Sequence, residues 1–409
     1  MKTRTIIGIA VPVAVLGLAL LFGSVLLLRL AFLSGLVVAT GLAWTAVNLR
    51  NLSIRAESPP EHIQVGDIFH RGVTITNHSR LPRLWLKLRD ETDLPGPQVT
   101  SMASIPGNGD HSWQTTFVCR RRGRYHLGPT TVATSDPFGL FRRDRTIGEK
   151  QDVLVHPATF DLPLFRFASY SDFGYGSGYQ SISRISPNAS SVREYASGDS
   201  LHHIHWRSTA RTGTLMVKMF DADRSHNTSK TAWVLLDMNN ESHYGRGDNS
   251  SDEMAVTIAA SLVRKYLQGG MRVGMMASDE QQCFTETDRG EQHLWNMLET
   301  LALIKCDWKA QLADVATQRL DSFRDNPMVL IVATTKTPGL MEMVHRLRNR
   351  VDTVVVVVLD IDSFHGSQGA LDMQRGLLLS GASVYTVRQG EDISRVLDTK
   401  MARIHPMLI

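Results

Sequence analysis

The chain has 409 residues, a formal net charge of +4 and 43% hydrophobic residues. A balance so slightly basic, with no aromatic residues interleaved among its cationic runs, sets aside a nucleic-acid binder. Cys119, Cys283 and Cys306 are too few and too scattered for a disulfide framework or a zinc knuckle, which fits a reducing compartment.

From Thr5 to Leu49 the only charged residue is Arg29. A bilayer span needs about 20 apolar residues, so this stretch predicts a transmembrane helical hairpin over residues 1–50. Its second run continues well beyond the h-region of a cleaved signal peptide, the competing reading. Lys2 and Arg4 flank one end and Arg50 and Arg55 the other, so the positive-inside bias predicts soluble parts in the cytoplasm.

Residues 51–157 read as a small β-sandwich. Gly72–Asn77, Leu84–Asp90, Ser112–Cys119, Gly123–Gly128 and Thr130–Asp136 alternate apolar and polar residues over part of their length, with glycine and proline turns between them. The run Arg120, Arg121, Arg122 and Arg124 reads as a solvated β-turn, with a lipid-facing patch as the alternative. Asp136 to Arg143, D-P-F-G-L-F-R-R, reads as a turn anchored by its phenylalanines. Residues 158–230 form a linker, in which Gly174 to Tyr179, GYGSGY, lacks the strand and helix that a phosphate-cradling loop requires.

The linker carries the densest functional text. Arg193, Glu194 and Tyr195 are followed by Gly198 and Asp199, then His202, His203, Ile204, His205 and Trp206, then Thr209, Ala210, Arg211, Thr212 and Gly213. His203 and His205 would share one face of a strand, and with His202, Asp199 or Glu194 they offer a zinc set. The other reading is a packed polar network, with Asp199 bonded to Arg211 or to backbone amides and Trp206 buried. That network would clasp the sandwich to the domain that follows.

Residues 231–409 alternate strands and helices. The predicted strands are Ala232–Leu236, Met271–Ala277, Met328–Thr334, Asp352–Asp360 and Ser383–Val387, and Gln281–Thr285 reads as an antiparallel edge. The helices between them are Asp252–Leu267, Glu291–Ile304, Gly339–Arg348 and Leu371–Leu379, with a last one from Asp392. This order implies an α/β domain with a mainly parallel sheet.

The R-E-Y, G-D, I-H-W and T-A-R-T-G pattern, preceded by D-P-F-G-L-F-R-R, resembles the bacterial domain of unknown function 58 family. The resemblance implies a multi-domain membrane protein whose C-terminal α/β domain is von Willebrand factor type A-like (Rossmann-like). In that fold an Asp-x-Ser-x-Ser motif binds a metal after the first strand. Here the stretch carries Asp237, Asn239 and Glu241, oxygen donors that Mg²⁺ accepts, while the strand ending at Thr334 and Thr335 supplies threonines where an aspartate is expected. Members of the family are commonly encoded beside a MoxR-type AAA ATPase, which implies a scaffold or adaptor acting with that ATPase in chaperone-like assembly. A metal-dependent hydrolase built on the histidine cluster and Asp237 is the alternative.

Overall fold

The computed structural model describes residues 2–96, 100–163, 165, 189–195, 204–220, 231–245, 247–280, 283–323, 327–351, 353–364, 371–399 and 401–402. They form an N-terminal pair of apolar helices and several sheets of mixed α and β content. Two compact units emerge, one of residues 1–160, 246–261 and 294–305, the other of residues 161–245, 262–293 and 306–409.

The first unit opens with helices α1 (Lys2–Phe22) and α2 (Val25–Asn48), joined at Gly23, whose φ of +61° suits a residue without a side chain. Helix α2 is long and apolar enough to cross a membrane, with a mean hydropathy of 2.2, whereas the apolar part of α1, Gly8–Phe22, is shorter. Nine strands follow: β1 (Leu52–Ala56), β2 (Ile63–Gln64), β3 (Ile68–Asn77), β4 (Arg83–Thr92), β5 (Thr100–Ile105), β6 (Asp110–Val118), β7 (Gly123–Ser135), β8 (Arg142–Ile147) and β9 (Gln151–His156). They make one sheet of order β1-β3-β6 and a second of order β2-β9-β7-β4-β5, with β8 paired to β7.

Inward positions recur with period two along β3, placing Phe69, Arg71, Val73 and Ile75 in the interior. A buried arginine needs a full set of acceptors. Arg71 reaches the carboxylate of Asp90 on β4 at 2.8 Å, Gln151 Oε1 at 2.9 Å and the Glu57 carbonyl at 3.3 Å, and Thr130 donates to the other Asp90 oxygen at 3.0 Å. This pair sits between two apolar clusters, one around Ile75, Leu86, Leu88 and Val132, the other around Phe69, Phe117, Leu127 and Val155.

Two expectations change here. Gly123–Gly128 and Thr130–Asp136 are one strand, β7, which passes through Gly128 (φ +75°) and there exchanges β9 for β4 and β8 as its neighbours. The arginine run is not wholly solvated either. Arg122 has a side chain only 5% exposed, paired with Glu253 at 2.5 Å and donating to the Ile304 carbonyl at 2.9 Å, whereas Arg120, Arg121 and Arg124 face solvent.

In the second unit β10 (Ala189–Glu194), α3 (Trp206–Thr212) and β11 (Met216–Phe220) form a small hairpin within the stretch read as a linker. The α/β part then runs β12 (Thr231–Leu236), α4 (Ser251–Gln268), β13 (Arg272–Ala277), β14 (Phe284–Asp288), α5 (Glu291–Leu303), α6 (Leu312–Gln318), β15 (Met328–Thr334), α7 (Leu340–Arg348), β16 (Val354–Leu359), α8 (Ile361–Phe364), α9 (Leu371–Leu379), β17 (Ser383–Val387), α10 (Ile393–Thr399) and β18 (Met401–Ala402). The sheet order is β14-β13-β12-β15-β16-β17-β18, parallel except at its two edge strands. The antiparallel edge falls at Phe284–Asp288, a little beyond the stretch read from the sequence. Every residue of β15 and β16 is buried, and Leu312, Val315, Leu340, Val344 and Leu347 of α6 and α7 pack on one face. Phe165 wedges between Tyr266 and Tyr385, at ring separations of 6.5 and 5.0 Å.

His156, at the end of β9, is 4% exposed, with the Trp295 ring 5.3 Å away and stacked in turn on His62 at 3.7 Å. Burial pushes its pKa below the ordinary value, opposed by the Leu298 backbone and Glu299 and reinforced by His62. The unfolded chain therefore binds a proton near pH 6.5 that the fold rejects, so stability falls as pH drops below that point. In denaturant unfolding of the full chain in detergent between pH 7.5 and 5.5, His156→Gln should flatten that loss.

Candidate functional site

The signature residues fold into a capped unit. Strand β10 pairs antiparallel with β11, setting Arg193 opposite Val217 and Glu194 opposite Met216, while the buried Ile204 bridges Val217 as well. Two backbone bonds of 2.8 Å, from Tyr195 N–H to the Leu215 carbonyl and from His205 N–H to the Met216 carbonyl, close the hairpin. His205 is the N-cap of α3: its Nδ1 accepts from the Ser208 amide at 3.2 Å, with the Ser208 hydroxyl at 2.7 Å. Gly213 is the C-cap at φ +73°, a left-handed conformation that costs a side-chain-bearing residue about 1 kcal/mol. Thr209 Oγ1 accepts from the Met216 amide at 3.0 Å and so staples α3 to β11.

These contacts account for Ile204, His205, Thr209 and Gly213 as structural residues. They do not account for Trp206, which is 68% exposed. Arg207 and Arg211, four apart on α3, are exposed too, and neither pairs with an acid among the described residues. The expectation that Trp206 is buried is thus overturned: as the first residue of a short helix, it projects away from the hairpin. Gly198, Asp199, His202 and His203 lie outside the described residues, so the Asp199–Arg211 bond does too.

A second polar group forms at the carboxyl ends of β12, β13 and β15, where an open α/β sheet presents its crevice. The Asp237 carboxylate is 0% exposed. Its Oδ1 accepts from the Ser278 hydroxyl at 3.0 Å and the Asn239 amide at 3.1 Å, and its Oδ2 from the Thr337 hydroxyl at 2.5 Å. Thr337 Oγ1 accepts in turn from the Thr334 amide at 2.9 Å, and the Thr334 hydroxyl donates to the Ser242 carbonyl. Ser278 and Thr337 went unnoticed in the sequence, where the only signal is a hydroxyl residue just beyond each strand.

Of the Asp237, Asn239 and Glu241 set, the first two are held in this network. Asn239 Oδ1 accepts from the Glu241 amide at 2.9 Å, while the Glu241 carboxylate lies outward on Lys309 at 2.6 Å. The three side chains do not converge on a point a cation could occupy, and the described residues hold no metal-binding group of His, Cys, Asp or Glu. They therefore do not fit Mg²⁺, and His205 uses its Nδ1 as a cap rather than as a ligand. Burial pushes the thiols of Cys119 and Cys283 up to about 11, which makes both poor nucleophiles.

Residues 191–365 match the model of a family described as protein of unknown function DUF58. The uncharacterized protein YeaD of Bacillus subtilis is 25% identical over 285 residues, 66% of this chain and 67% of its own. The uncharacterized protein Rv1480 of Mycobacterium tuberculosis is 31% identical over 111 residues, 27% of this chain and 34% of its own, so the chain spans about a third of that relative. Among solved structures, a CARDB domain from Pyrococcus furiosus is 16% identical with a TM-score of 0.20, covering 26% of this chain and 94% of that one. A PapD-like domain of human CEP192 is 15% identical, also at 0.20, covering 26% and 87%. Scores that low carry no argument.

Thr337→Val removes a donor from a buried carboxylate, which should lower the unfolding free energy by about 1.5–3 kcal/mol. The denaturation midpoint of the full chain in detergent measures it; an unchanged midpoint would show that Asp237 does not depend on this bond.

Proposed function

We propose that the chain is a membrane-anchored, non-enzymatic adaptor whose β10–α3–β11 hairpin is a recognition surface for an acidic patch on a protein partner. The observation that carries this reading is the division of labour in the signature. Its small and capping residues hold the hairpin together, and its Trp206, Arg207 and Arg211 face outward. Tryptophan and arginine dominate binding hot spots, where truncation costs 2 kcal/mol or more. Exposed cations that pair with no acid among the described residues favour a partner that brings carboxylates.

The remaining parts fit such a role. Helices α1 and α2 serve as a two-span anchor that leaves the soluble units in the cytoplasm. The α/β unit is read as von Willebrand factor type A-like: with β12 to β17 counted as strands one to six, its order is 3-2-1-4-5-6 with the third antiparallel. Asp237 then acts as a structural lock of that unit. A MoxR-type AAA ATPase is the partner that the family resemblance suggests.

The test is capture of a MoxR-type AAA ATPase by the full chain in detergent, with and without ATP. Trp206→Ala combined with Arg211→Ala should weaken binding at least roughly thirtyfold while leaving the melting temperature unchanged. His205→Ala, which removes a cap, should instead lower stability by about 1 kcal/mol. No association in any nucleotide state would exclude this partner, and a melting temperature lowered by Trp206→Ala would return the tryptophan to a structural role.

A further inference from the structure

The Asp136 to Arg143 turn lies directly against the apolar helices. Asp136 is buried and caps its own turn, accepting from the Phe138 amide at 3.0 Å and the Phe141 amide at 2.5 Å. The turn then meets two helical glycines. A methyl group added at Gly41 of α2 would sit 3.2 Å from the Phe141 ring and 3.5 Å from Asp136, and one at Gly8 of α1 would sit 3.4 Å from Leu140. Gly41 precedes the end of α2 by seven residues and Gly8 follows the start of α1 by six, which places both contacts about 10 Å in from the helix ends. A helix of 24 residues is about 36 Å long against a hydrocarbon core of about 30 Å, so this level falls among the outer acyl chains, about 7 Å below the headgroups.

What the turn exposes there is amphipathic. Phe138 is 62% exposed, and Arg142 and Arg143, the first two residues of β8, are exposed as well. About one turn along α2 from Gly41, a register shift in β4 between Arg83 and Leu86 and a left-handed Trp85 (φ +54°) turn that indole outward, 59% exposed, with the Trp44 ring of α2 6.1 Å away. A bulge that re-aims a side chain and a bulky residue at positive φ are features retained where the side chain has work to do. Tryptophan at the headgroup level, an apolar ring below it and arginines above it compose a membrane-interface belt.

We infer that this edge of the sandwich is itself seated in the bilayer interface, with Phe138 among the upper acyl chains, Trp85 at the headgroup level and Arg142 and Arg143 on lipid phosphates. The occupant is a phospholipid surface, because the face is continuous with helices that expose most of their large apolar side chains and because its cations match the phosphate layer. This inference rests on the reading of α1 and α2 as bilayer-embedded.

The experiment uses the full chain in phospholipid vesicles, with Cys283 and Cys306 changed to Ser and Cys119 left buried. A fluorescent label is placed at Phe138→Cys or, separately, at Leu33→Cys in the middle of α2. Quenching by a lipid-borne group is compared with quenching by aqueous iodide. Lipid quenching at both positions is the expected result, and adding Arg142→Glu and Arg143→Glu should expose the label at 138, but not that at 33, to iodide. Lipid quenching at 33 with only iodide quenching at 138 would overturn the inference and leave the anchor intact. Iodide quenching at 33 would overturn the anchor and the inference together. An unchanged label at 138 in the glutamate variant would overturn the assignment of the arginines to phosphate.

Discussion

The apolar helix α2 ends inside the sandwich, and one carboxamide makes that possible. At the shifted register of β4 the backbone of Leu84 lacks its strand neighbour, and Asn48 supplies both halves of the missing pair. Its Nδ2 donates to the Leu84 carbonyl at 2.7 Å and its Oδ1 accepts from the Leu84 amide at 3.2 Å, while Nδ2 also reaches Thr134 Oγ1 at 2.7 Å. Buried backbone groups must be paired, so a helix residue here does the work of a strand. Leu49 and Leu52 then continue directly into the sandwich core. The helix is consequently not tethered by a loose linker: its direction is set by the β-sheet it enters, and Gly41 is free to receive the turn.

Most of the fold was legible because periodicity and burial agreed. The valine run of β16 and the strand–helix alternation after Thr231 left little choice. The sequence failed where a polar residue occupies an inward position. Arg71 interrupts the alternation of β3, so the strand appears to begin at Gly72 although it begins at Ile68. Nothing local announces that Asp90, nineteen residues on, completes the pair. Short strands such as β1 and β9 carry too few apolar residues to register, and β7 hid its continuity behind a glycine–proline step that usually signals a turn.

The candidate site was legible as a place but not as a division of roles. Residue types marked the signature, and charge, imidazole and indole together suggested chemistry. The geometry distributes them otherwise, since His205 caps a helix and Trp206, its neighbour, points to solvent. One residue of rotation on a short helix separates an interior position from an exposed one, and the sequence carries no phase for a helix of seven residues. Likewise, the aspartate at the end of β12 was visible, but the hydroxyls that occupy its oxygens come from Ser278 and Thr337, far along the chain.

Helix α4 is grouped partly with each unit, residues 251–261 with the sandwich and 262–268 with the sheet. The sandwich therefore draws on sequence encoded far downstream: Glu253 is the counterion of Arg122, and Trp295 is the ring on which His62 stacks. In evolutionary terms the N-terminal half is not a portable cassette. A gene fusion or recombination joint anywhere between residues 160 and 246 would separate this sandwich from its own supports, and a transplanted one would arrive opposite a helix shaped for another. Such joints should be selected against, so the two halves of the gene are expected to be inherited together.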